Sequence, residues 1–236
     1  MPTFPMRINR YLAHRGIATR KDADTLIEKG QVFINSRKAV LGDKVNEKDV
    51  VDVRRSGKQP TYRYVAYHKP IGVVTHSAED EEEDIKLATE THPELRGLFP
   101  VGRLDKNSHG LIILTNDGRV TDRLLNPDRV HDKEYAVKVR ETLRDSFQKY
   151  MERGVDIGDY TTKPCKVRVT GEHAFSITLT EGKKHQVRRM AEAMHLTISD
   201  LRRVRIMNIK LGDVPPNGYR PIKDAELALF LKELGL

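Results

Sequence analysis

Apolar residues recur every three or four positions at the front of the chain, first between residues 7 and 15 and again between residues 19 and 30. This spacing is typical of amphipathic helices with one buried face. Thr19 and Asp22 have the spacing of a capping box at the start of the second helix. The front of the chain therefore predicts two helices followed by short strands. The strands are expected at residues 32–34 and 50–53.

Beyond residue 60 the pattern changes to short apolar or alternating runs, separated by segments with helical spacing. The runs predict strands, and apolar residues three to four apart predict helices. Many strands mixed with helices, without a repeat of fixed period, favour an α+β domain with a largely antiparallel sheet. The predicted strands lie at 64–67, 73–75, 111–114, 134–139, 167–169, 175–179 and 204–211. The predicted helices lie at 119–125, 143–153, 186–195 and 224–234.

A polar segment that contains glycine and proline, residues 54–60, follows the last strand of the front pattern. Such a composition is typical of a linker. We therefore predict two domains, a small one at 1–60 that includes the linker and a larger one at 61–236. An acidic run at 79–84 interrupts the larger domain, and its simplest interpretation is a solvated loop without a site.

The charge of the chain is basic and unevenly distributed. Among 236 residues, 42 Lys and Arg stand against 34 Asp and Glu, which gives a formal net charge of +8. Residues 1–56 hold 12 of the basic and 7 of the acidic residues, a net of +5. A basic surplus concentrated in one module suits a polyanionic partner better than an acidic substrate.

The composition also excludes several classes of protein. Cys165 is the single cysteine, which excludes an internal disulfide and zinc sites built from several thiolates, and its simplest role is that of a small buried hydrophobic residue. The nine histidines show no spacing typical of metal ligands, so we predict no metal site. Neither a signal peptide nor a stretch of 18 apolar residues is present. We therefore expect a soluble, cytoplasmic protein with no membrane segment.

Two cations, Arg20 and Lys21, begin the second predicted helix, where free backbone amides already favour phosphate. Arg7, Arg10 and Arg15 on the first helix extend this basic surface. A solvated helix face is the alternative for each cation taken alone, whereas their clustering favours RNA. Phosphate contacts of this kind supply affinity and orientation but little sequence choice.

The whole front segment resembles the S4 RNA-binding domain, a small helix-helix-strand module. The resemblance rests on residues 7–13 (Arg-Ile-Asn-Arg-Tyr-Leu-Ala), 19–24 (Thr-Arg-Lys-Asp-Ala-Asp) and 32–35 (Val-Phe-Ile-Asn). It implies that the front module binds RNA and delivers it to the rest of the chain.

In the larger domain, Asp105 lies in a glycine-bracketed loop beside an apolar strand, within Gly102-Arg103-Leu104-Asp105. Taken alone, such an aspartate most often caps a turn. The same domain, however, also contains a Lys-Pro-Ile-Gly turn at 69–72 and further motif segments, which we call blocks, at 133–135, 182–190 and 201–208. In this order the blocks resemble the S4-containing, RsuA-type ribosomal RNA pseudouridine synthases. The last block, together with residues 154–155 and 163–167, resembles most of all their F-type branch, which modifies a stem-loop of the large subunit.

The resemblance implies a cofactor-free isomerase that converts a uridine into pseudouridine, with Asp105 as nucleophile. Whether the carboxylate attacks the base or acts at the sugar stays open. A hydrolytic glycosidase would usually need a second carboxylate opposite the first, and no second acid stands out. By resemblance, Tyr135 stacks against the uracil and assists removal of the C5 proton, although its place on a strand also suits a core tyrosine.

Helix geometry distinguishes Arg188, at the edge of the apolar stripe of the helix predicted at 186–195, from Arg189, which lies farther round toward solvent. The resemblance implies that Arg188 pairs with the carboxylate of Asp105 and keeps it ionised in a desolvated pocket. A phosphate contact is the alternative for Arg188. Phosphate contacts are our first interpretation of Arg189, Lys183 and Lys184.

Two further residues near these motifs have open roles. By resemblance, Arg103 enters the RNA helix at the place of the extruded uridine, which reduces the free energy lost on unstacking. It can equally hold a neighbouring phosphate. We interpret His185 only as a polar or RNA-contacting residue.

The sequence therefore predicts a monomeric RNA pseudouridine synthase whose favoured substrate is a stem-loop of large-subunit (23S) ribosomal RNA. Two alternatives remain. The enzyme acts on small-subunit ribosomal RNA or transfer RNA, or the chain is a non-catalytic RNA-binding or ribosome-assembly factor on the same scaffold. Motif residues barely discriminate among RNA targets, because selection rests on loops and shape.

Overall fold

The structure is a computed structural model that describes residues 4–54, 61–75, 84–85, 92–126 and 129–236. Two interpretations from the sequence concern residues that lie mostly outside this part. These are the linker at 54–60 and the acidic run at 79–84.

Contacts between residues divide the chain into two compact units. The first unit consists of Met1–Tyr62, Asp117–Arg123 and Leu231–Leu236. The second unit consists of Arg63–Asn116 and Leu124–Phe230. The domain boundary near residue 60 stays a prediction, because residues 55–60 are not described.

Two helices and two small antiparallel sheets build the front of the first unit. Thr19 caps the second helix, because its Oγ1 accepts a hydrogen bond from the Asp22 amide at 3.0 Å. Leu12, Ala23 and Val32 are fully buried in the apolar cluster between helices and strands. The predicted helix-helix-strand pattern is therefore confirmed. The elements are β1 (Met6–Arg7), α1 (Ile8–His14), α2 (Arg20–Glu28), β2 (Val32–Ile34), β3 (Arg37–Lys38), β4 (Lys44–Val45) and β5 (Val51–Val53).

In the described part of the second unit, nine strands form one sheet. The α+β class with a largely antiparallel sheet is confirmed, since among the described pairings between strands β8 with β12 alone is parallel. The strand order is β10-β11-β9-β12-β8-β6-β14, with β7 beside β8 and β13 beside β12. The elements from residue 63 onward are β6 (Tyr64–Lys69), β7 (Phe99–Val101), β8 (His109–Thr115), α3 (Gly118–Leu125), β9 (Lys133–Val139), α4 (Phe147–Glu152), β10 (Lys166–Gly171), β11 (Ala174–Leu179), α5 (Gln186–Ala193), β12 (Ile198–Ile206), β13 (Ile209–Lys210), β14 (Tyr219–Pro221) and α6 (Asp224–Leu234).

The sheet is covered on one side by α4 and α5. Phe175 and Ile177 of β11 are buried in one cluster with Met151 of α4 and Met190 of α5. The apolar stripe expected on α5 faces this core, with Val187 also buried. The amphipathic pattern of the helix thus fixes which of its side chains point away from the core.

Two predicted strands are wrong. Residues 73–75 form one isolated bridge instead of a strand, and the Val73 carbonyl accepts from the side chain of Lys69 instead of from a neighbouring strand. Residues 204–211 do not form a single strand, because Met207 has a positive φ of 51° and turns the chain between β12 and β13.

Two predicted helices are shorter than the sequence pattern suggests. The helix predicted at 143–153 covers only Phe147–Glu152, since the Leu143 amide bonds to the carbonyl of Glu172 in the β10–β11 turn. The helix predicted at 186–195 ends at Ala193, because His195 has a positive φ of 59° that closes it.

Candidate active site

The loop that carries Asp105 connects β7 to β8 and is fastened through its backbone. Thr75 Oγ1 accepts from the Leu104 amide at 3.0 Å and donates to the Leu104 carbonyl at 2.8 Å. The Gly72 amide donates to the Lys106 carbonyl at 2.9 Å. The segment 69–75 therefore holds the loop on both sides of its carboxylate.

A row of residues in register crosses four strands of the sheet beside this loop. Lys69 of β6 lies opposite Gly110 of β8, which lies beside Arg203 of β12. Arg203 in turn lies opposite Tyr135 of β9. Residues in register share a face of the sheet, so the four form one row. The loop is connected to this row, because Arg203 Nη1 donates to the Arg103 carbonyl at 3.2 Å.

Gly110 permits β8 and β12 to lie side by side at this point. Its φ is +108°, and a Cβ there would lie 2.3 Å from the carbonyl oxygen of Arg203. Both the conformation and the space exclude any larger residue. The glycine that closes the predicted motif is therefore required for packing, and it sets the distance between the Asp105 loop and β12.

Lys69 is a buried cation next to the site. Its Nζ donates to the Pro70 carbonyl at 2.9 Å and to the Val73 carbonyl at 2.6 Å. Burial lowers the pKa of Lys69 from 10.5 to about 8, although the negative charge of Asp105 acts in the opposite direction. The positive charge of Arg203 also lowers this pKa. The lysine closes the turn at 69–72 and places a positive charge within electrostatic reach of Asp105.

The carboxylate of Asp105 is accessible. Its side chain is 39% exposed, and His185 Nε2 lies 3.7 Å from its Oδ1. His185 is the residue that precedes α5, and its backbone has a left-handed conformation with a φ of 52°. The desolvated pocket expected from the sequence is therefore not present in this structure, because loop residues leave the carboxylate open to water.

Arg188 reaches the same loop but contacts its backbone. Its Nη2 donates to the Asn107 carbonyl at 2.7 Å and lies 3.4 Å from Ser108 Oγ. The ion pair expected between Arg188 and Asp105 is therefore not formed in this structure, which describes both residues. The helix does place Arg188 at the edge that faces the loop, where a carbonyl oxygen takes the hydrogen bond instead of the carboxylate.

Tyr135 is partly buried and packs against the apolar cluster below α4 and α5. Its neighbour in register on β12 is Arg203, the residue that bonds to the Asp105 loop. The Tyr135 ring thus contacts the apolar core and also lies in the row of residues in register beside the Asp105 loop. Its role in stacking or proton removal stays a prediction.

The other cations predicted near the site differ in their surroundings. Arg189 is partly exposed, and its guanidinium pairs with the exposed carboxylate of Asp159. Lys183 Nζ lies 4.2 Å from the centroid of the Tyr160 ring. Arg103 and Lys184 are exposed. The phosphate contacts of all four remain predictions, and the structure favours Arg103 and Lys184 over Arg189 for them.

The cations predicted on the front module are all exposed and belong to the first unit. Arg20 is the first residue of α2 and Lys21 the second, so both lie beside the free amides of that helix. Such a place suits phosphate binding. The remaining three are Arg7, Arg10 and Arg15.

Three residues at the site were not predicted from the sequence as part of it: Lys69, His185 and Arg203. Strand alternation carries a signal for Arg203, because Leu201 and Arg203 of β12 both point to the buried face. For Lys69, the position at the end of an apolar strand is a weaker indication of burial at the site, since most lysines are exposed. His185 directly precedes α5 and lies near Asp105 only because the fold brings the start of this helix next to the loop.

Among the residues that the structure describes, no group of three or more His, Cys, Asp or Glu side chains is arranged to hold a metal ion. No helix in the described part of the chain combines the length and the apolar character that crossing a bilayer requires.

Two family matches cover most of the chain. Residues 63–193 match the family described as RNA pseudouridylate synthase. Residues 6–51 match the S4 domain. The first match includes Asp105, Tyr135 and Arg188, and the second includes all five front cations.

Several curated proteins are similar to the chain over almost its whole length. A protein of Escherichia coli strain K12 named dual-specificity RNA pseudouridine synthase RluF is 38% identical over 98% of this chain and 80% of its own length. An uncharacterized RNA pseudouridine synthase of Aquifex aeolicus is 36% identical over 98% of this chain and 96% of its own. The ribosomal large subunit pseudouridine synthase B of Shigella flexneri is 32% identical over 97% and 83%.

A solved structure shows the same fold. A crystal structure of a pseudouridylate synthase superimposes with a TM-score of 0.68 at 24% sequence identity, and the match covers 97% of this chain and 99% of the other. At this identity the similarity concerns the fold alone.

Proposed function

Because the chain belongs to the RNA pseudouridylate synthase family, we propose that it isomerises a uridine of ribosomal RNA, with Asp105 as the nucleophile and the large subunit as the favoured substrate. The observation that carries the proposal is the position of Asp105. It is a partly exposed carboxylate on a loop that is bonded to two buried polar residues, Thr75 and Arg203 of β12.

The reaction sets simple requirements for the site. Formation of pseudouridine breaks the bond between N1 and C1′ and makes a bond between C5 and C1′. The hydrogen at C5 leaves as a proton, and N1 gains a proton. Substrate and product therefore have the same atoms and electrons, and no water is consumed. The site must supply a nucleophile, hold the detached uracil and move one proton.

Asp105 meets the first requirement. Its exposed carboxylate can reach a nucleotide that has left the RNA stack, and attack at C1′ or at the uracil ring would each give a covalent intermediate. Buried Lys69 presents a positive charge toward it, and His185 lies 3.7 Å away. A bound nucleotide would cover the 39% of the side chain that is now exposed and so exclude water.

Tyr135 and Arg188 assist in this proposal. Tyr135 lies on the row of polar residues, where its ring stacks against the detached uracil and its hydroxyl takes part in removal of the C5 proton. Arg188 holds the Asp105 loop through the Asn107 carbonyl. In this arrangement Arg188 acts on the position of the carboxylate rather than through an ion pair.

RNA binding is divided between the two units. Arg103 is exposed two residues before Asp105, a place from which it can fill the gap left by an extruded uridine. The exposed cations of the front module supply contacts to phosphate, which give affinity without sequence choice.

A second RNA substrate is supported by one observation. A relative with 38% identity over 98% of this chain carries the words dual-specificity in its name. Two RNAs that share one loop shape would suit a site that selects by shape. Transfer RNA or small-subunit ribosomal RNA is therefore the second candidate.

Chemical mapping of pseudouridine tests the proposed function. Purified protein is incubated with unmodified large-subunit ribosomal RNA, small-subunit ribosomal RNA and bulk transfer RNA. We expect one major modified uridine in the large-subunit RNA, and none when Asp105→Asn replaces the wild type. Modification confined to small-subunit RNA or to transfer RNA would overturn the substrate. Equal modification by both proteins would overturn the role of Asp105.

A further inference from the structure

Three titratable side chains form a hydrogen-bonded chain on the other face of the sheet from the row beside the site. His68 precedes Lys69 on β6, and His109 precedes Gly110 on β8, so strand alternation turns both imidazoles to the opposite face. His68 Nε2 lies 2.9 Å from His109 Nδ1. His109 Nε2 lies 2.9 Å from Asp200 Oδ1 on β12. The chain thus links three neighbouring strands.

The chain ends at a backbone carbonyl. His68 Nδ1 lies 2.7 Å from the carbonyl oxygen of Val214, in the segment between β13 and β14. The rings of His68 and His109 are nearly coplanar, with 17° between their planes and 5.2 Å between their centroids. Because the N–H bonds and lone pairs of imidazole lie in the ring plane, this arrangement suits a hydrogen bond between the rings.

The number of protons in the chain follows from its two ends. A carbonyl oxygen only accepts, so His68 Nδ1 must donate to Val214. An ionised carboxylate only accepts, so His109 Nε2 must donate to Asp200. The bond between the rings needs one proton more. Two neutral imidazoles carry two protons, whereas three hydrogen bonds need three, so beside an ionised Asp200 the pair of rings holds one positive charge.

The environment decides which ring carries the charge. Burial lowers the pKa of His68, and the positive charges of His109 and Arg202 lower it further, while the bond to Val214 acts in the opposite direction. His109 lies next to the carboxylate of Asp200, whose side chain is 34% exposed. Of the two rings, His109 is thus the one that contacts a carboxylate and can share the third proton with it.

Charged groups on the neighbouring strands surround the hydrogen-bonded side chains of His68, His109 and Asp200. On β12, Arg202 lies in register with His109 and opposes the positive charge, whereas Asp200 favours it. On β9, Lys138 lies opposite Asp200 and is exposed. The segment between β13 and β14 contributes a carbonyl dipole. Asp200 is thus the group in direct contact that stabilises an imidazolium.

We propose that His68, His109 and Asp200, joined by these hydrogen bonds and holding one proton more than two neutral imidazoles carry, position the Asp105 loop. We call this hydrogen-bonded set the relay. His109 directly follows Ser108, which is fully buried and whose amide donates to the Asp105 carbonyl at 3.0 Å. The relay therefore anchors the residue at which the loop enters β8. His68, His109 and Asp200 are positioning residues, and their effect on the reaction rests on the proposed role of Asp105.

Nitrogen-15 NMR of the histidine rings tests the proton count without reference to catalysis. From the hydrogen bonds at its two ring nitrogens, we expect His109 to carry a proton on both of them in the wild type. The matched variant is Asp200→Asn. Its amide can donate to His109 Nε2, so all three hydrogen bonds form with two neutral rings and the extra proton is lost. Asp132→Asn replaces an aspartate that is not part of this hydrogen-bonded set. It should leave His109 doubly protonated.

Kinetics test the positioning role. Asp200→Asn keeps the chain of hydrogen bonds and should retain kcat within about threefold, whereas Asp200→Ala breaks it and should lower kcat about tenfold, since small displacements of a reacting group reduce the rate strongly. The KM for RNA should stay within about twofold for both, because Asp200 contacts His109 rather than the substrate.

The outcomes separate the two proposals. A singly protonated His109 in the wild type, unchanged in Asp200→Asn, would overturn the relay. Equal losses of kcat in Asp200→Asn and Asp200→Ala would overturn its positioning role, as would an effect on KM alone. Full activity of Asp105→Asn would instead contradict the proposed function and leave the proton count intact.

Discussion

At the scale of single residues, Lys69 shows how burial and chemistry are coupled at this site. Its ammonium group is fully buried and bonded to two carbonyl oxygens. Burial lowers its pKa to about 8, although the charge of Asp105 opposes the change. The free energy needed to bury this charge is thus partly returned by its electrostatic interaction with the carboxylate.

This pKa predicts how stability depends on pH. The folded chain releases the Lys69 proton at about pH 8, and the unfolded chain near pH 10.5. Between these values the unfolded chain binds more protons, so the free energy of unfolding of the wild type should rise with pH relative to Lys69→Met. We expect a rise on the order of 1–3 kcal/mol. Urea unfolding from pH 7 to pH 10.5 measures it.

The control for this measurement is Lys166→Met, which replaces an exposed lysine of β10. Its stability relative to the wild type should not change with pH over the same range. A difference between wild type and Lys69→Met that is constant with pH would contradict the buried, easily deprotonated state of Lys69.

The sequence predicts the residues of a continuous motif better than those that the fold brings together. Asp105 stands between Gly102 and Gly110 beside an apolar strand, a pattern that is visible without the structure. His185 and Arg203 approach the loop from segments about 80 and 98 positions later in the chain, so only the fold shows their proximity. The partner of Arg188, a carbonyl instead of a carboxylate, depends on side-chain geometry that no motif encodes.

At the scale of secondary-structure elements, the parallel contact between β8 and β12 places the Asp105 loop. Gly110 is in register with Arg203, whose guanidinium bonds to the carbonyls of Leu111 and Arg103. One strand pair thus supports both the start of β8 and the preceding loop. A change in the distance between these strands would move the carboxylate.

Gly110→Ala tests this contact. Its Cβ would lie 2.3 Å from the carbonyl oxygen of Arg203, and its φ of +108° is unfavourable for alanine. We expect a loss of at least about 3 kcal/mol in the free energy of unfolding, from strain and displaced backbone together. The matched control is Gly158→Ala, at a φ of +97° with nothing within 4 Å. It should lose only about 1–2 kcal/mol. Equal losses in denaturant unfolding would show that the contact is not tight.

Elements with strong periodicity are predicted well, and short ones are not. The helices α3 and α6 and the strand β9 are found almost at their predicted positions. The strand pattern at 204–211 instead contains a turn at Met207, where a positive φ overrides the apolar run. The strands β1, β3 and β4 have two residues each, which is too few for alternation to be detected.

At the scale of the whole molecule, charge and chemistry belong to different parts of the chain. Residues 1–56 carry a net +5 of the total +8, whereas Asp105 lies in the second unit. An excess of exposed cations raises the affinity for any RNA, and the site then acts on one nucleotide. The α+β class and the basic surplus at the front were predicted from pattern and composition, because both depend on many residues together, whereas the roles of the two parts rest on the motif resemblances.

Simultaneous replacement of Arg20 and Lys21 by alanine tests the division. Affinity for RNA should fall, and the slope of log affinity against log salt should decrease by about 2, since two phosphate contacts are lost. The kcat at saturating RNA should not change. Fluorescence anisotropy at several salt concentrations measures the slope. The matched control replaces two exposed lysines of the second unit, Lys149 and Lys166. An unchanged slope in the test variant would place the phosphate contacts elsewhere.

The central claim is that the carboxylate of Asp105 performs the isomerisation. Its most direct measurement is the release of tritium to water from RNA labelled at C5 of uridine, because that hydrogen leaves only when C5 bonds to the sugar. Wild type and Asp145→Asn, a change at an exposed aspartate, should release tritium at the same rate. Asp105→Asn, which keeps the shape and removes the charge, should bind RNA normally and lower the rate by at least about 10³-fold. Release by Asp105→Asn at the wild-type rate would contradict the account.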